Sequence, residues 1–119
     1  MQLSKGDQTV PVPTGMALVR AGGLEKNTTY FRFDLMYEKY PGFPSRNPHQ
    51  IHLGIGSTVA IWDVSARGMQ EQVASFFASN GTVISQAEPA EFFETPIKQP
   101  FAENIEYITA NPGAQAAVD

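Results

Sequence analysis

His49 and His52 are the only histidines in the chain, and their spacing is the first pattern in it that could do chemistry. On a helix a three-residue spacing sets two imidazoles on one face, an arrangement suited to a shared metal ion. The flanking Ile51, Leu53 and Ile55 alternate with polar or small residues as in a strand, where an odd spacing sends side chains to opposite faces. On that reading the two histidines are polar residues of a strand edge, and neither metal nor cofactor is assigned to them. A third ligand, such as Asp34 or Asp63, could be brought in by the fold. Together with Trp62, these are the residues that a small-molecule or metal-binding α+β module, or an enzyme working through His49 and His52, would use.

Other candidate groups read as structural. Asp34 and Glu38 could form a carboxylate pair, but separation and environment decide acid–base roles, and both fall on the wet side of a predicted strand with Arg32 beside Asp34. Gly54-x-Gly56 is a fragment of a phosphate-binding loop. No helix is expected to open directly after it, so the dipole that makes such loops work is missing and the pair reads as a turn. Ser65, Ser75, Ser79 and Ser85 lack a glycine elbow. With no cysteine there is no thiolate nucleophile or ligand. No constellation amounts to a reaction mechanism, and the expectation is a non-enzyme.

The elements around these residues are read from periodicity. Residues 1–15 carry Pro11, Pro13 and Gly15, which suits an extended arm or edge strand. Residues 16–19 form a short apolar strand candidate. In 28–37, Phe31, Phe33, Leu35 and Tyr37 recur with period two, the pattern of a half-buried strand. A Pro/Gly-rich connection follows, with Pro41, Pro44 and Pro48. Residues 51–56 and 58–64 read as strands joined at Gly56-Ser57. Met69, Val73, Phe76 and Phe77 recur at helical spacing, predicting a helix over about 66–79 that packs this stripe on the core and ends at Asn80-Gly81. Residues 82–86 and 104–109 are further strand candidates. The expected fold is α+β and mainly β, an antiparallel sheet or small sandwich or barrel packed against one amphipathic helix. Its parts are an extended N-terminal arm (1–15), a β-rich domain (16–95) and an extended C-terminal arm (96–119).

Composition narrows the function. Charged residues are 17% of the 119, below the roughly 25% of an ordinary soluble domain, so part of the surface is expected to be covered by partners. Residues 1–67 carry a net charge of +2 and residues 68–119 a net −6, which disfavours direct nucleic-acid binding, since phosphate neutralisation needs clustered cations. Residues 1–20 have neither the basic start nor the apolar run of a signal peptide, and no stretch approaches the length of a membrane span. Proline-punctuated ends have little capacity to bury themselves, and adjacent Phe92 and Phe93 in an extended segment would face opposite ways. Val10, Val12, Phe92, Phe93, Ile97, Phe101 and Tyr107 are therefore the candidate interface residues. The expected function is a non-enzymatic structural or assembly subunit bound to other protein subunits, its own copies or another structural protein. A virion decoration, cement or connector protein is one such setting.

Overall fold

A computed structural model describes residues 1–40 and 47–100. The chain opens with strand β1 (Gln2–Ser4), crosses through helix α1 (Val12–Gly22) to strand β2 (Thr29–Phe31), and passes at once into helix α2 (Phe33–Lys39). Beyond a 3₁₀ turn at Ile51–Leu53 runs the longest element, helix α3 (Ala60–Ala78), and the chain returns through a 3₁₀ turn at Ala90–Phe92 to strand β3 (Phe93–Glu94). The sheet has the order β1-β2-β3. β1 lies parallel to β2, with Leu3 opposite Tyr30, and β3 lies antiparallel to it, with Phe93 opposite Phe31.

Central β2 separates two apolar clusters. Successive strand side chains point to opposite faces, so Tyr30 joins Val12 and Met16 of α1, Ile97 and Leu3 on one side. Phe31 joins Phe33 and Met36 of α2, Ile51, Met69 of α3, Ala87, Phe92 and Phe93 on the other. The Phe31 and Phe93 rings stack at 4.8 Å, and Trp62 meets Phe33 edge-on at 6.0 Å. Each fully buried Phe of this kind contributes about 1.5–3 kcal/mol.

The fold is α+β but not mainly β: the described residues form three helices and a sheet of three very short strands, with no barrel or sandwich among them. The predicted N-terminal arm is instead β1 and the start of α1. Its prolines initiate a helix, since their fixed φ suits the first turn, where the missing N–H has no partner to lose. Val12, Met16 and Val19 then form the buried stripe of α1, and residues 16–19 belong to that helix. The predicted strand over 28–37 divides in the middle. Phe33, Met36 and Tyr37 pack as a helical stripe while Leu35 is exposed, so after Phe31 the period is 3.6 and not two. Residues 51–56 and 58–64 are a 3₁₀ turn, a loop and the start of α3, not a hairpin, and 82–86 are not a strand.

Helix α3 also begins six residues before the predicted start, and its buried stripe shares only Met69 with the predicted one. Ser65, Ala66, Gly68, Met69 and Gln72 face inward. Val73, Phe76 and Phe77 face out. Gln72 tolerates burial because its amide donates to the Ser85 carbonyl at 2.5 Å and its oxygen accepts from the Gln2 side chain at 2.8 Å.

Candidate functional site

The chain leaves β1 through Gly6, whose φ of 82° lies in the left-handed region that favours glycine. This turn delivers Asp7, whose Oδ1 accepts the backbone N–H groups of Thr9 and Val10, both at 2.8 Å, immediately before α1. The loop ahead of the 3₁₀ turn is tied to the same place. Asn47 Oδ1 accepts the N–H groups of Gln8 at 3.1 Å and His49 at 3.0 Å. With both loops held, His49 Nδ1 lies 2.9 Å and 3.1 Å from the two Asp7 carboxylate oxygens. The pair is partly exposed, 29% for the His49 side chain and 13% for that of Asp7, and lines a cavity of about 340 Å³ whose walls include Val10, Val12, Leu18 and Ile51. A carboxylate accepts only, so Nδ1 carries a hydrogen, and in the neutral ring Nε2 keeps its lone pair.

His52 lines the same cavity, and its carbonyl accepts a hydrogen bond from Gln70. His49 precedes the 3₁₀ turn and His52 lies within it, so the opposite-faces argument for a strand does not apply to them. Among the described residues, no group of three His, Cys, Asp or Glu side chains comes together as a metal site. Asp34 and Asp63 lie elsewhere. Asp34 takes a bidentate pair from Arg32 at 2.9 and 2.7 Å and has Lys5 at 3.5 Å, while Arg32 reaches Glu94 on β3 at 2.9 Å. Burial pushes the Asp34 carboxyl up, but the hydrogen bonds and charge of Arg32, aided by Lys5, outweigh it and leave its pKa below the ordinary carboxylate value. Glu38 is exposed. Asp63 binds Arg67 at 2.8 Å and accepts the Gly56 N–H at 2.6 Å. A helix does open soon after Gly54-x-Gly56, but the carboxylate in its first turn already occupies the loop N–H.

The predicted interface residues divide. Val12, Phe92, Phe93 and Ile97 are buried in the chain's own two clusters, and Val10 is exposed at the cavity edge. Phe101 and Tyr107, like the strand candidate 104–109, lie outside the described residues. The periodicity of α3 instead left the apolar surface unassigned. Phe77 is 72% exposed, with Phe76 at 37% and their rings edge-on at 5.7 Å; Val73 and Val83 are also exposed. Beside them runs a groove of about 350 Å³ lined by Leu24, Val73, Phe76, Phe77 and Ile84. From 72 to 87 the chain has no Asp, Glu, Lys, Arg or His. No described helix is long and apolar enough to cross a membrane. The chain matches no protein-family model, no curated protein and no solved structure.

Proposed function

We propose that the protein is a non-enzymatic assembly subunit that docks on a second copy of itself through the outer face of α3. The supporting observation is Phe77, an aromatic side chain held mostly in solvent beside Phe76 and Val73. Contiguous exposed apolar surface of this kind marks interaction sites, and aromatic anchors dominate their energetics. The choice of partner rests on charge. A chain with net charge −4 repels its own copy, so self-association is favoured where the apposed faces are uncharged, as residues 72–87 are. A two-fold arrangement would set each Phe77 into the groove of the partner. A subunit of a larger particle, a virion included, would use the face in the same way.

Size-exclusion chromatography with light scattering tests this. The expected result is a dimer at tens of micromolar that dissociates on dilution, with Phe77→Ser weakening association at least tenfold, as for truncation of a buried aromatic anchor. A wild-type chain that stays monomeric at roughly millimolar concentration would refute it.

A further inference from the structure

The Asp7–His49 pair lies on the cavity beside α1, and nothing in the docking reading uses it. We infer that this cavity binds a small, uncharged, mainly apolar molecule carrying one hydroxyl, of the phenol or alcohol class, whose O–H donates to His49 Nε2. Three observations carry the assignment. The first is the polarity of the ring: Asp7 occupies Nδ1 from both carboxylate oxygens, so in the neutral imidazole Nε2 is an acceptor, and no described residue donates to it. An acceptor fixed by a carboxylate, itself pinned by two backbone N–H groups, is a preorganised partner for a donor ligand. The second is the wall, where Val10, Val12, Leu18 and Ile51 offer apolar contact to the rest of the molecule. The third is charge. No Lys or Arg lines the cavity, the ammonium of Met1 at its wall is engaged by the Asn27 carbonyl, and Asp7 stands within it, so an anion is disfavoured against an uncharged ligand. The volume, about 340 Å³, is at the small end of ligand sites.

The test is a series of ¹⁵N-correlated NMR titrations at pH 8 with p-cresol, toluene and p-toluate, which share a methyl-bearing ring and differ in the group offered to His49. The expected result is that p-cresol moves the amide signals of Val10, His49 and Ile51 along saturable curves, with toluene about fivefold weaker, the worth of one hydrogen bond. His49→Phe, which keeps a ring but offers no acceptor, lowers cresol affinity to that of toluene and leaves toluene unchanged. Asp7→Asn, which can donate to Nδ1 and so turn Nε2 into the N–H, weakens cresol in the same way and serves if the His49 variant does not fold. Equal affinity for cresol and toluene, tighter binding of p-toluate, shifts confined to the Phe76–Phe77 groove, or no shift up to roughly 10 mM ligand would each overturn the inference.

Discussion

Gly68 stands in the middle of the longest helix, where glycine costs about 1 kcal/mol relative to alanine, and the reason lies across the helix face. A Cβ at this position would run into the backbone of Glu88, including its carbonyl oxygen. The segment that leads to β3 crosses α3 at contact distance, and main chain cannot give way as the tip of a side chain can. Gly68→Ala is therefore expected to destabilise by roughly 1–3 kcal/mol despite its better helix propensity, read as a lower urea midpoint; an unchanged or higher midpoint would show that the crossing is loose. Of the candidate ligand site, the sequence offered the acceptor but not its partner. His49 could be singled out by residue type. Asp7, 42 positions away, could not, because only the turn at Gly6 and the Asn47 bridge bring the two together.

Element types were less legible than element positions, because several segments satisfy two periods at once. Phe31, Phe33, Leu35 and Tyr37 fit a strand, and Phe33, Met36 and Tyr37 fit a helix equally well; tertiary packing chose the second. Prolines at 11 and 13 were read as breakers when they mark the start of α1. The helix at 66–79 was visible because its apolar stripe is strong, yet of that stripe only Met69 is buried while Val73, Phe76 and Phe77 face solvent, and inward positions such as Ser65 and Gln72 carry no hydrophobic signal. At the junction of β2 and α2 the fold change is held by charge, with Arg32 joined to Asp34 of α2 and to Glu94 of β3. Because the Asp34 pKa is lowered in the folded chain, its pairing stabilises fully above the unfolded value of about 4 and is lost as pH falls through the lower folded value. Urea midpoints at a series of pH values should show wild type more stable than Asp34→Asn at neutral pH, with the gap closing below about pH 4. A gap that persists undiminished at the acid end would mean that the carboxylate charge is not what holds the junction.

For the whole molecule the question is whether the two clusters fold as one unit. They share β2, whose three residues are all buried, and no other described strand is buried throughout. The α1 side would be a poor candidate for independence: Val12, Met16, Tyr30 and Ile97 are few, and Ile97 is fixed to the residue that leads into β2 by its N–H to the Thr28 carbonyl at 2.8 Å. Loosening α1 therefore exposes Tyr30, removes support from β2 and reaches Phe31 on the opposite face. Met16→Ala, fully buried in the wild type, should cost about 2–5 kcal/mol and lower the stability of the entire molecule. Trp62 packs on the opposite cluster, so its fluorescence is a distant reporter of that loss. In urea, the Trp62 signal and far-UV circular dichroism should move together to a lower midpoint in the variant, as a single cooperative transition requires. If Trp62 keeps its wild-type midpoint while ellipticity falls earlier, α1 and its cluster form a separate unit and β2 does not couple the two sides.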